Sequence, residues 1–213
     1  MSYLYENRTD AGKQLAEQLR PFKGQDIVVL AIPRGGLPVG AEVAAVLNAP
    51  LDVVLTKKIG HPHHKEYAIG AVSMDGVILS DTETIPEDYI IEETARIREV
   101  LNERHSQYYR DRNPLPLKDK VVIVVDDGIA TGNTLIATVQ LVAKQKPSRI
   151  IVGIPVAPRS AVQRLEAMPE VDEVVCLATP LNFMAVGQFY LHFYQVSDKE
   201  AITILEGADK ASP

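Results

Sequence analysis

The chain has 213 residues, 46% of them hydrophobic and 23% charged, with a formal net charge of −6 and a pI near 5.4. That size suits one α/β domain with its own core, and the acidic balance excludes the basic face that a nucleic-acid footprint needs. No apolar run approaches the roughly 18 residues of a membrane helix and no apolar leader opens the chain, so the expectation is a cytoplasmic enzyme with neither nucleic acid nor membrane as partner.

An amphipathic helix is expected over about residues 9–20, with Leu15 and Leu19 on one face and Pro21 after it. The apolar run 27–32 reads as a first buried strand that enters Pro33-Arg34-Gly35-Gly36-Leu37. A helix follows from Pro38, well suited to a first helical position, and turns Val39, Val43, Val46 and Leu47 toward the sheet. A second strand covers 51–55 and ends at Thr56-Lys57-Lys58. Residues 59–66 read as a mobile loop that carries Gly60, His61, Pro62, His63, His64, Lys65 and Glu66. Apolar runs at 68–74 and 77–79 flank Asp75-Gly76, the strongest short hairpin signal in the chain. A long helix is expected over about 88–110, striped by Ile90, Ile97, Leu101 and Tyr108.

Next comes Val121-Val122-Ile123-Val124-Val125, β-branched throughout, as a strand buried on both faces should be. It runs into Asp126 and Asp127, then into a loop of Gly, Thr and Asn that opens a helix at Thr134, whose Leu135, Val139 and Val142 are buried. A strand over 149–156, a helix with Val162 and Leu165, and a fifth strand over 173–177 complete the alternation. Cys176, the one cysteine, lies within that last apolar run and reads as a core residue rather than a nucleophile or ligand. After Thr179-Pro180 the aromatic segment 181–190 has no clean period. Ser197-Asp198-Lys199-Glu200 makes a capping box, and a last helix runs to about Glu206.

Strands alternating with helices give a parallel sheet with helices on both faces. Ligands bind such sheets outside the carboxyl ends of the strands, where three segments converge: 33–37, 57–66 and 126–134. The third offers free backbone N–H groups and hydroxyls at the positive end of a helix, which suits a phosphate dianion. Asp126 and Asp127 beside it are acceptors for sugar hydroxyls or ligands for a divalent cation. A ligand with hydroxyls at one end and phosphate at the other, such as a ribose 5-phosphate, has the matching shape. The competing reading is an ordinary βα turn whose acids cap the next helix. Neither G-x-G-x-x-G nor a Gly-Lys-Ser/Thr after the P-loop spacer occurs.

The segment from Val121 to Thr134 resembles the phosphoribosyl diphosphate (PRPP) motif of type I phosphoribosyltransferases: apolar strand, two acids, a spacer of three, then Thr-Gly-x-Thr. The resemblance spans about residues 27–190 and looks closest to the uncharacterised bacterial phosphoribosyltransferase-like group. It implies a Rossmann-like open parallel sheet in a single domain over 1–213, with a core at about 22–178. A small hood would come from about 179–208, with the amino-terminal helix as a further candidate part, beside a hairpin and flexible loop. The 5-phosphate would sit on the N–H groups of Gly128, Ile129, Ala130, Thr131, Gly132, Asn133 and Thr134 and on the hydroxyls of Thr131 and Thr134. Asp126 and Asp127 would orient the ribose directly or through Mg²⁺. Arg34-Gly35-Gly36 is similar to the pyrophosphate loop, with a non-proline cis peptide at Pro33–Arg34; by itself it is equally a Gly-rich turn with Arg34 in solvent.

Lys57 and Lys58 resemble the basic pair that leads into the catalytic loop of the orotate and adenine members. Glu66 is the candidate carboxylate of that loop and His63 and His64 are its rivals; a solvated polar loop is the alternative. Three histidines raise the question of zinc, but no cysteine or further carboxylate is spaced to complete a tetrahedral site. Phe183, Phe189 and Tyr190 are candidates to stack on an acceptor ring or to serve as core. The activity implied is Mg²⁺-dependent displacement of pyrophosphate from PRPP by a nitrogenous base, in a homodimer by family habit. A regulator that binds PRPP or a nucleotide without turnover, or a hydrolase on the same scaffold, are the alternatives.

Overall fold

The computed structural model describes residues 3–65, 67–74, 76–80, 82–110 and 113–211. In chain order the elements are α1 (Arg8–Leu19), β1 (Ile27–Ala31), α2 (Gly36–Leu47), β2 (Leu51–Val53), β3 (Thr56–Gly60), β4 (Ala68–Ser73), β5 (Val77–Leu79) and α3 (Glu87–Tyr109). They continue with β6 (Val121–Val125), α4 (Asn133–Ala143), β7 (Arg149–Val156), α5 (Arg159–Glu166), β8 (Glu173–Ala178) and α6 (Asp198–Ala211).

β1 and β6 read as unbroken apolar runs because both of their faces are covered. Val29, Ile123 and Ile151 pack with Leu15 and Leu19 of α1 and Val39, Val43 and Leu47 of α2 on one side. Val28, Val122, Val124 and Ile150 pack with Leu135, Val139 and Val142 of α4 and Val162 and Leu165 of α5 on the other. The five strands are all parallel, in the order β2-β1-β6-β7-β8. The order reverses between β1 and β6, the switch point at which a crevice opens beyond the carboxyl ends of the strands. No helix is long and apolar enough to cross a membrane among the described residues.

The expected α/β architecture is thus present, and several boundaries move. The parallel strand stops at Val53, and Thr56–Gly60 forms a strand of a separate antiparallel sheet, ordered β3-β4-β5. Ile59, read as the start of a mobile loop, is fully buried and pairs with Gly70, so residues 61–65 and 67 are the described part of the connection to β4. The β4–β5 hairpin forms where Asp75-Gly76 signalled it, although Asp75 lies outside the described residues. α2 begins at Gly36 rather than Pro38, because Gly35 already has helical angles of φ −61° and ψ −33°. α6 runs on to Ala211, past the expected end at Glu206.

Both ends of the chain build the hood. The N–H groups of Leu4 and Tyr5 donate to the Phe189 carbonyl, while those of Leu191 and His192 donate to the carbonyls of Tyr5 and Glu6. Tyr5, Ala11, Val156, Phe189 and Tyr190 form a third, smaller core beneath it.

Candidate active site

The crevice at the switch point is walled by the β1–α2 turn and the end of β6. The Ile32 N–H donates to the Val125 carbonyl and the Gly36 N–H to the Ile32 carbonyl, which draws the turn against β6. The Pro33–Arg34 peptide bond is cis, as the resemblance implied. The two glycines face the acids. A Cβ on Gly35 would lie 2.1 Å from Oδ2 of Asp127, and one on Gly36 would lie 2.8 Å from the Val125 carbonyl oxygen and 3.1 Å from Cα of Asp126. What the absent side chains accommodate is therefore the acid pair itself.

Asp127 is buried and Asp126 partly so. The Asp127 N–H donates to Oδ1 of Asp126 at 2.9 Å. Burial, and then the negative charge of Asp127, hold the Asp126 carboxyl well above the usual carboxylate range. Burial also raises Asp127, but a guanidinium opposes it. That guanidinium belongs to Arg8, which donates from Nε to Oδ2 of Asp127 at 2.7 Å and from Nη1 to the Tyr194 carbonyl at 2.7 Å. It lies 3.8 Å from the centroid of the Phe193 ring. Tyr190 donates its hydroxyl to the Asp127 carbonyl. Oδ2 of Asp126 and Oδ1 of Asp127 take no hydrogen bond from another residue among the described ones. Two carboxylates with an oxygen each to spare fit Mg²⁺, which takes one or two protein carboxylates and completes its shell with water and substrate oxygens.

From Asp127 the chain turns through Gly128, whose φ of 151° excludes other residues; a Cβ there would also meet Val186 of the hood at 2.7 Å. The Ile129 N–H donates to the Val156 carbonyl, so it is withdrawn from the expected phosphate cradle, and its side chain is buried. Ala130, Thr131 and Thr134 are exposed, Asn133 is partly so, and Gly132 caps α4 at φ 77°, with the Asn133 N–H reaching the Thr131 hydroxyl at 3.5 Å as a long contact in the first turn. Open N–H groups at the positive end of α4 are thereby left facing solvent. Arg164 of α5 braces the loop by donating to the Thr131 carbonyl and to Oδ1 of Asn133.

Arg34 does not stand free in solvent. Its Nη1 lies 3.2 Å from Oδ2 of Asp198, the first residue of α6, whose Oδ1 accepts from the Tyr108 hydroxyl at 2.8 Å. Lys57 and Lys58 fall on opposite faces of β3. Thr56, on the same face as Lys58, meets Thr138 of α4 hydroxyl to hydroxyl at 2.9 Å. On the other face, Lys57 and Lys65 help lower the Glu93 carboxyl of α3, after the larger effect of the Arg96 bond. The structure therefore divides the basic pair between two neighbours. Glu66 lies outside the described residues. The His61 ring neighbours those of His63 and His64, and no group of three or more metal-ligating side chains occurs among the described residues.

Of the three aromatic candidates, Phe189 and Tyr190 are core residues at 7% and 2% exposure, which removes them from contact with a ring in the crevice. Phe183 is partly open and rests on Phe189 at 5.1 Å between centroids. Cys176 is partly buried against the core rather than within it; it donates to the Ala178 carbonyl, and burial pushes its thiol up to about 11, which makes it a poor nucleophile.

Arg8 and Asp198 escaped the sequence reading. Arg8 leaves one signal: a cation in the first turn of a helix opposes the helix dipole, so it needs a partner from elsewhere. Asp198 reads only as part of a capping box.

A Mycobacterium tuberculosis (strain ATCC 25618 / H37Rv) protein, provisionally named a phosphoribosyl transferase, is 39% identical over 214 residues, covering 97% of this chain and 47% of its own. The chain thus spans about half the length of the curated relatives it matches. The crystal structure of TT1426 from Thermus thermophilus superposes with a TM-score of 0.87 at 41% identity, over 96% of this chain and 98% of that one. A Neisseria gonorrhoeae protein solved with bound ppGpp shares the fold, with a TM-score of 0.52 at 17% identity over 97% of this chain and 96% of its own. The family model for the phosphoribosyl transferase domain matches residues 3–183, and the chain belongs to that family.

Proposed function

We propose that the chain transfers the 5-phosphoribosyl group of PRPP to a nitrogenous base and releases pyrophosphate, with Mg²⁺ at the acid pair. The observation that carries this reading is the switch-point crevice, where two carboxylates at the end of β6 precede a helix start with no side-chain cap. A sugar phosphate fits that order. Its phosphate would take the open N–H groups from Ala130 to Thr134 and the hydroxyls of Thr131 and Thr134, while Asp126 and Asp127 accept from the ribose hydroxyls. Arg34 would exchange Asp198 for the pyrophosphate, and the β3–β4 arm would bring Lys57, Lys58 and Glu66 over it.

As the bond from the anomeric carbon to the pyrophosphate oxygen breaks and the bond to the base nitrogen forms, positive charge develops on the sugar. The chain's task is to hold the two reactants in line and to steady the separating charges rather than to react covalently. Bound Mg²⁺ would add charge neutralisation at the leaving group. Of the three aromatic candidates Phe183 is the one open enough to meet the base. A cytoplasmic homodimer is the expected setting, and light scattering on the purified chain tests the assembly.

The test of function is pyrophosphate release from PRPP and Mg²⁺ with a panel of bases. Turnover with a base supports the transferase; release without base points to a hydrolase; tight binding without release points to a regulator. The regulator draws support from one feature, that Arg34 and Asp127 both hold partners within the chain itself.

A further inference from the structure

We infer that Arg8 is a positioning residue for the transfer, acting through Asp127; this rests on the transferase reading above. Arg8 lies at the start of α1, in the hood, and 119 positions from the acid it holds. Three contacts fix its guanidinium: Nε on Asp127, Nη1 on the Tyr194 carbonyl, and the plane over Phe193. At 8% exposure for each residue, the pair is shut off from solvent. An ion pair in such a place cannot lose one member without leaving the other uncompensated.

The consequence for the site is directional. Arg8 occupies Oδ2 of Asp127 and so commits that oxygen to the hood, which leaves Oδ1 as the atom able to meet a ribose hydroxyl or Mg²⁺. It also sets the plane in which Oδ1 lies. Gly35 closes the same side, since even a Cβ there would lie 2.1 Å from Oδ2. The guanidinium thus determines which half of the second acid serves the ligand. Lysine could not replace it, because a single ammonium on a flexible stem does not span Asp127 and Tyr194 while stacking on a ring. None of these three contacts reaches the loop from Ala130 to Thr134, so the effect should stop at the ribose end.

The test compares three probes on the full chain with Mg²⁺: PRPP, ribose 5-phosphate and inorganic phosphate, each by calorimetry. For Arg8→Gln and Arg8→Lys, affinity for PRPP and ribose 5-phosphate should fall by about tenfold or more, while affinity for inorganic phosphate stays within about twofold. The lysine variant should be no better than the glutamine one. Phe193→Leu removes the ring under the guanidinium, a ring whose centroid also lies 5.0 Å from that of Tyr190, and leaves both hydrogen bonds of Arg8 in place. It covers the case in which the Arg8 variants do not fold, and should give a loss of about threefold confined to the ribose-bearing probes. Wild-type affinity for ribose 5-phosphate in folded Arg8 variants, an equal loss for all three probes, or full rescue by lysine would each overturn the inference. A wild-type chain that binds PRPP but transfers it to no base would defeat the proposed function and leave the Arg8 comparison valid, because the comparison needs no turnover. A wild-type chain that binds inorganic phosphate but neither sugar phosphate would overturn both.

Discussion

Replacing Gly35 by alanine should destabilise the protein by about 2–4 kcal/mol, and the cause lies in a carboxylate rather than in the backbone. Gly35 has φ −61° and ψ −33°, angles that alanine adopts freely. On backbone grounds alone the substitution would stabilise by about 0.4–1 kcal/mol, because it narrows the unfolded ensemble. The new methyl, however, would stand 2.1 Å from Oδ2 and 2.7 Å from Cγ of Asp127. Oδ2 is the oxygen that Arg8 holds at 2.7 Å, and the two side chains are only 12% and 10% exposed. To clear the methyl the carboxylate must turn away from the guanidinium. Breaking a buried pair costs about 3–5 kcal/mol, from which the backbone gain is subtracted. In a chain of 213 residues, where each kcal/mol shifts Tm by about 2–4 °C, that is a fall of roughly 10 °C. Gly207→Ala is the control of opposite sign, since it sits within α6 with nothing near its Cβ position and should stabilise by about 0.5–1 kcal/mol. Thermal unfolding followed by circular dichroism compares the two. A Gly35→Ala protein that melts at or above the wild-type temperature refutes the reasoning.

Asp126→Asn should weaken PRPP binding by about tenfold or more through loss of a charged acceptor, yet raise Tm in metal-free protein at pH 7. Its carboxyl is held above the usual range by burial and by Asp127, so the folded state carries a penalty at neutral pH that disappears as the pH falls below the unfolded value. The gain in Tm should therefore shrink toward pH 3, and a lower Tm at pH 7 would contradict the electrostatics. Arg34→Ala should reduce affinity for PRPP more than for ribose 5-phosphate in paired titrations, because only PRPP carries the pyrophosphate; equal losses would place Arg34 elsewhere. Hypoxanthine and guanine should be poor acceptors: the members of the resembled family that use them carry an aspartate three positions after the second acid, and Ala130, which stands there, can neither donate nor accept a proton. A steady-state rate of about 1 s⁻¹ or more with either base would reverse that conclusion.

The central sheet was legible because its physics is local. A strand covered on both faces must be apolar at every position, as Val121 to Val125 are, and a helix on such a sheet must repeat its apolar residues, as Leu135, Val139 and Val142 do. The acid pair and the loop that opens α4 could be placed for the same reason, since strand, carboxylates and helix start follow one another directly. β3 was obscured because Lys57 and Lys58 are polar on both faces of a short strand, and only tertiary pairing with β4 makes the segment extended. Arg8 looks like any charge on the outer face of an amphipathic helix, and nothing in α1 announces a partner beyond β6. The hood gave no periodic signal because it is made of two distant segments joined through carbonyls and a 3₁₀ turn at Val186–Phe189, not of a repeating element.

The two ion pairs that border the crevice differ in their contact with water. Arg8 and Asp127 are sealed under the hood, whereas Arg34 and Asp198 are 32% and 51% exposed. Mobile ions screen the second pair and barely reach the first. Ionic strength is therefore a selective lever on this molecule: added salt weakens the hold of Asp198 on the Arg34 guanidinium, while the Arg8–Asp127 wall of the crevice stays shut.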